Sequence, residues 1–138
     1  MADIVNVIGR ILLAYLFVYS GWAKLTSYSG MEQYLQHLGI ATWSLPIVII
    51  VELGGGLAVV LGAFTRLSAL GLAVFCFLTA FMVHFPAMQA AADATVRELQ
   101  MLNVAKNVAM AGGFLVLVAH GAGRFSIDAK FKLPLRGA

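Results

Sequence analysis

LPIVIIVELGGGLAVVLGAF, residues 45–64, runs through Thr65-Arg66 into LSALGLAVFCFLTAFMVHFPAM, residues 67–88. These are two apolar runs of 20 and 22 residues joined by two polar ones. Each run is long enough to cross ~30 Å of hydrocarbon at ~1.5 Å per residue. So short a link forces the two to fold back on each other as an antiparallel pair. Pro46 falls in the first turn of its helix, where a missing N–H costs nothing. No alternation of apolar and polar residues occurs, so a membrane β-barrel is not supported.

Outward from this pair, two more runs of the same kind appear, Ile4 to Leu25 and Met101 to His120. The first is too long for a signal-peptide core, and Asp3 precedes Arg10, the only basic residue of its N-terminal part. Gly121 and Gly123 stop the last. The expected fold is therefore an all-α integral membrane four-helix bundle, a single domain over residues 1–138. Its spans are about 4–25, 45–64, 67–88 and 101–120, followed by a basic tail over 121–138. Composition agrees: 62% hydrophobic residues, 11% charged and a mean hydropathy of +0.93 exclude an ordinary soluble domain, which carries about 25% charged residues.

The connection between spans one and two is patterned. Met31, Tyr34, Leu35 and Leu38 fall at i, i+3, i+4 and i+7, Ser29-x-x-Glu32 reads as a capping box, and Gly39 ends the helix. A short amphipathic helix lying in the membrane interface is expected there. Thr95-x-x-Glu98 reads as a second cap before span four. The tail is expected to lack regular structure.

Four spans put both termini on one side. Arg10, Arg66, Arg124, Lys130, Lys132 and Arg136 belong to that side, and Lys24, Arg97 and Lys106 to the other. Six against three puts both termini in the cytoplasm of a cell inner membrane by the positive-inside rule. The net charge of +3 is thus a topology signal and does not indicate nucleic acid, and the basic tail reads as lipid-headgroup contact. Trp22 and Trp43 read as interfacial anchors.

Charged groups inside a bilayer are costly and mark function by default. Arg10, Glu52, His84 and Lys106 fall inside spans, and Lys24 at the end of one. Counted along the helices, Lys24, Glu52, His84 and Lys106 lie within about 11 Å of the same, outer boundary, and only Arg10 belongs to the inner half. Arg10, Ala14, Phe17, Gly21 and Lys24 share one helical face. So do Asn103, Lys106, Asn107 and Met110, and Cys76, Ala80 and His84. Gly54, Ala58 and Gly62, and Ala105, Ala109 and Gly113, form small-residue stripes that let helices approach.

The bland readings are an ion pair between Glu52 and Lys106 that is only structural, a snorkelling Lys24, a merely hydrogen-bonded His84 and an inert Cys76. One cysteine excludes an internal disulfide and a CxxC pair. The three histidines, His37, His84 and His120, make no metal site, and no nucleotide-binding, serine-hydrolase or HExxH motif is present.

In sequence order, Gly9-Arg10, Ser20-Gly21-Trp22-Ala23-Lys24, Glu52 with Gly54-Gly55, Leu61-Gly62, Thr65-Arg66, Thr79-Ala80, His84, Asn103-x-x-Lys106-Asn107, Gly112-Gly113, Gly121-x-Gly123 and Ser126-x-Asp128 resemble the DoxX-like family of small four-helix bacterial inner-membrane proteins. The resemblance spans Gly9 to Asp128. It implies a membrane subunit of a quinone- or thiol-linked oxidoreductase system. Some relatives are linked to quinone reduction with thiosulfate as donor, others to a stress-response complex with superoxide dismutase and a sulfurtransferase.

In that reading a quinone is the cofactor, and a polar site in the outer half of the bundle holds its head group through Lys106, Asn103, Asn107, Glu52, His84 and Lys24. Glu52 and His84 are the candidate proton relay, Phe81, Phe85 and Met110 are candidate walls, and Arg10, Gly54 and Gly62 are structural. The alternative is a non-catalytic membrane scaffold or assembly subunit, with its buried charges fixing helix arrangement and its tail holding partner proteins. A transporter would need a homo-oligomer to enclose a path.

Overall fold

The computed structural model describes residues 1–131. The helices are α1 (Ala2–Thr26), α2 (Tyr28–His37), α3 (Ser44–Leu61), α4 (Thr65–Ala90), α5 (Ala94–His120) and α6 (Ile127–Phe131), and no strand occurs among the described residues. Helices α1, α3, α4 and α5 are each long and apolar enough to span a membrane.

The expected boundaries shift for local chemical reasons. Helix α3 stops at Leu61 and not at Phe64, because Gly62 turns left-handed (φ +69°) and Phe64 follows at φ +45°. Helix α5 starts seven residues before the apolar run, at Ala94. The Asp93 side chain caps it by accepting from the Val96 amide at 2.9 Å, so Thr95 is not the cap. Helix α2 begins at Tyr28, with Ser27 at its N-cap and no side-chain bond there, so the capping box at Ser29 does not form. Gly39, at φ +69°, ends α2 as expected.

Each spanning helix buries one narrow face. Phe17 of α1 meets Phe75 and Phe114 edge-on, at centroid distances of 6.3 and 5.4 Å, a favourable aromatic geometry. Ala69, Ala73, Cys76 and Ala80 of α4 are at most 1% exposed, and they form the seam against α5 on which Ala111 and Phe114 pack. Most other large apolar side chains face outward, as lipid requires. Ala105 and Ala109 lie on the exposed side of α5, where Asn107, Ala111, Phe114 and Leu117 are buried instead.

Helix α1 approaches α3 closely at Gly21. A Cβ there would lie 2.7 Å from the Leu53 amide nitrogen. The glycines of α3 that pack are Gly55, against Leu72, and Gly56, against Phe17 and Val18, whereas Gly54 faces open space. Three consecutive glycines give no directional pattern, so the sequence reading chose the wrong one as structural.

The segment after α5 is ordered, contrary to the expectation of an irregular tail. Asp128 accepts from the Phe64 and Thr65 amides at 2.7 and 2.9 Å, capping α4 from a distance, and its own amide donates to Gly62 O at 2.8 Å. Arg10 Nη2 donates to Phe125 O at 2.6 Å, Asn6 Nδ2 to Gly121 O at 3.3 Å and Arg66 Nη2 to Ala119 O at 3.1 Å. Lys132 and Arg136 lie outside the described residues.

Candidate functional site

At the end of the bundle away from the termini, a cavity of about 400 Å³ opens between all four spanning helices. Lys24, Glu52, His84, Lys106 and Asn107 line it. The four ionisable groups that share a depth in the sequence thus share one cavity. Asn103 holds two of its polar neighbours: its side-chain oxygen accepts from Lys106 Nζ at 3.0 Å, and its backbone carbonyl from Asn107 Nδ2 at 2.9 Å.

The roof of the cavity is α2. Met31, Tyr34, Leu35 and Leu38, the apolar face predicted from periodicity, all line it. No residue of α2 is buried, so this helix covers the cavity without joining the core. The walls are mostly apolar and include Phe17, Phe75 and Met110. Phe81 and Phe85 are not walls: they are exposed and pack on each other, with centroids 6.5 Å apart.

Two π-helical turns flank the cavity, Ile50–Gly54 in α3 and Ala80–His84 in α4. Such turns are rare and concentrate at functional sites. The first carries Glu52, only 6% exposed, and the second ends on His84. The second also leaves Ala80 buried and Phe81 facing outward, which is why Phe81 misses the cavity. Nothing in the sequence announces either turn.

The ion pair differs from the expected one. Glu52 Oε2 accepts from Lys24 Nζ at 2.7 Å, and Lys24 also donates to Ser20 Oγ at 2.5 Å. Lys106 pairs with Asn103, not with Glu52. The contact of Gly21 with Leu53 explains the choice: it sets Lys24, one turn further along α1, beside the residue preceding Leu53. Lys24 therefore turns inward and does not snorkel.

His84 Nδ1 lies 2.8 Å from Gln100 Oε1. The amide oxygen can only accept, so Nδ1 carries the hydrogen in this pairing and Nε2 is left for a ligand or water. Thr79 Oγ1 reaches Asn107 Oδ1 at 3.3 Å. Gln100 and the pairing role of Ser20 were missed in the sequence; the i, i+4 spacing of Ser20 and Lys24 was the available signal. Cys76 is fully buried in the core, away from the cavity lining. No group of three His, Cys, Asp or Glu able to hold a metal ion occurs among the described residues.

Four apolar helices long enough to span a membrane, around a cavity roofed by α2, define a small multi-span membrane protein. The chain belongs to the DoxX family, whose model matches residues 5–85. It is similar to inner membrane protein YqjF of Escherichia coli (strain K12), with 39% identity over 128 residues, covering 93% of this chain and 92% of that protein. Inner membrane protein YphA of the same organism is 32% identical over 123 residues, covering 88% of this chain and 86% of that protein. No solved structure matches the chain.

Proposed function

We propose that this protein is the membrane subunit of a quinone- or thiol-linked oxidoreductase system in the inner membrane, the compartment named for both relatives. The observation that carries the reading is the roofed cavity into which all four spans project polar groups. Its volume of about 400 Å³ lies in the range of small-molecule sites, about 300–1,000 Å³. A quinone ring fits its chemistry, with apolar and aromatic walls at Phe17, Phe75 and Met110 and hydrogen-bond donors from Lys106 and Asn107.

Lys106 and Asn107 are the donors to a ring carbonyl; Lys106 Nζ has one partner of three in Asn103. When bound, the quinone supplies two-electron redox chemistry, with electrons from a partner protein. Glu52 Oε and His84 Nε2 are the groups placed to pass protons to the ring, and α2 covers the cavity. The electrons require a donor outside this chain, since Cys76 is its only cysteine.

A second reading, a non-catalytic assembly subunit, is favoured by one observation: Lys24, Glu52 and Ser20 satisfy one another without a ligand. Extraction into nanodiscs without detergent, with mass spectrometry of co-purified quinones, separates the two. Quinone carried by wild type and lost in Lys106→Met supports the site. Folded wild type and variant that both lack quinone leave the assembly reading.

A further inference from the structure

His84 closes the π-helical turn of α4 and lines the roofed cavity. Its partner at 2.8 Å, Gln100, stands outside that lining. Gln100, Asn103 and Asn107 follow one another at i, i+3 and i+7 on α5, so they share one face. That polar stripe brings the Gln100 amide to the imidazole from behind the cavity wall. The function proposed above gives Gln100 no role.

The two nitrogens of an imidazole point away from each other, and the partner of one decides the state of the other. Gln100 Oε1 accepts, so Nδ1 carries the hydrogen and Nε2 keeps a lone pair. Among the described residues Nε2 has no hydrogen-bond partner, and it is not one of the side-chain atoms buried without one, so it stays accessible. The same holds for Glu52 Oε1, since Lys24 meets only Oε2. The cavity therefore offers two open acceptors, Nε2 on α4 and Oε1 on α3, besides the donor Lys106 Nζ.

An open acceptor in an apolar-walled site is satisfied by a ligand that donates. The two oxidation states of a quinone differ in this respect. The carbonyl oxygens of the oxidised ring only accept, whereas each hydroxyl of the hydroquinone both accepts and donates, as a phenol does. The hydroquinone fills Lys106 as acceptor and Nε2 or Oε1 as donor; the quinone sets its lone pairs against theirs. A site built to bond a hydroxyl discriminates against an analogue that lacks the hydrogen. We propose that Gln100 is a positioning residue that holds His84 as an acceptor, and that the cavity thereby takes the reduced, dihydroxy form of its ring ligand in preference to the oxidised form. This rests on the reading of the cavity as a quinone site.

Two measurements on the full chain in nanodiscs test it. The first is nuclear magnetic resonance of protein with nitrogen-15 histidine at about pH 8.5, above the ordinary histidine range. The His84 signals, assigned by their loss in His84→Gln, are expected to show hydrogen on Nδ1 and a lone pair on Nε2. Gln100→Leu is expected to abolish that preference for one nitrogen. Hydrogen on Nε2 in wild type overturns the positioning role. The second is anaerobic calorimetric binding of tetramethylbenzoquinone and of its hydroquinone. Wild type is expected to bind the hydroquinone about tenfold more tightly, the worth of one added hydrogen bond, and Gln100→Leu to narrow that ratio. A folded Gln100→Leu with the wild-type ratio overturns Gln100 as its source. Equal affinity of wild type for the two forms, or tighter binding of the quinone, overturns the preference and leaves the quinone site standing. Binding of neither form overturns the quinone reading and this inference with it. If Gln100→Leu does not fold, the wild-type spectrum and the wild-type affinity ratio decide.

Discussion

Glu52 sits where its charge is hardest to hold, 6% exposed in the middle of an apolar helix, and Lys24 stabilises it. The carboxylate has one cationic partner at 2.7 Å, and removing that carboxylate leaves Lys24 without a counter-charge. Breaking a fully buried pair costs about 3–5 kcal/mol. The Lys24 side chain is 18% exposed, so solvent and headgroups relieve part of that. Glu52→Gln is expected to lower stability by about 1–3 kcal/mol, and adding Lys24→Met should restore most of it. A double-mutant cycle on thermal unfolding in nanodiscs measures this; an unchanged melt in Glu52→Gln would show that the pair contributes nothing. Gly62 is a second decisive residue. It holds φ +69°, and a Cβ there would run into the Arg10 guanidinium and Ser126. Gly62→Ala is expected to cost more than the ~1–2 kcal/mol of a left-handed alanine, because it also displaces the Arg10 clamp on Phe125. A chemical melt within about 0.5 kcal/mol of wild type, the ordinary range for harmless surface changes, would contradict this.

Helix α4 carries no capping side chain at its own N-terminus; the cap comes from Asp128, more than sixty positions away in sequence. The segment 121–131 therefore belongs to the bundle. Asp128→Ala should cost about 0.5–2 kcal/mol, the range for loss of an N-cap, and should speed hydrogen exchange at Phe64 and Thr65 first. Protection at those two amides that survives the change would show that the cap is dispensable. This cap could not be read in the sequence, because Asp128 looks like one more residue of a polar tail. The spans were legible from apolar length alone, and α2 from its 3/4 spacing, because both signals are local. Helix ends depended on single residues: Asp93 and Gly62 have sequence signatures, whereas Ser29-x-x-Glu32 matched a pattern that the backbone does not use. The two π turns left no trace, since a one-residue offset inside a uniformly apolar run leaves hydropathy unchanged.

On the scale of the whole molecule, the polar cavity was legible because antiparallel spans convert sequence distance from a boundary into depth. Lys24, Glu52, His84 and Lys106 are scattered over 83 residues, yet each is a few turns or less from the same end, and all line one cavity. Depth does not fix rotation about a helix axis, so the pairing of Glu52 with Lys24 rather than Lys106 was out of reach until the Gly21–Leu53 contact was known. Which side of the membrane that end faces follows from charge. The termini end holds Arg10, Arg66, Arg124 and Lys130, and the cavity end Lys24, Arg97 and Lys106. The positive-inside rule then predicts termini in the cytoplasm and α2 with its cavity on the outer face. A C-terminal green fluorescent protein fusion should fluoresce, and an alkaline phosphatase fusion at the same point should be inactive. Gln36→Cys, on the exposed side of α2, should react with a membrane-impermeant maleimide added to intact spheroplasts. The buried Cys76 gives wild type no background. Labelling of Gln36→Cys only after the membrane is opened would invert the molecule and bring the cavity to the cytoplasmic face.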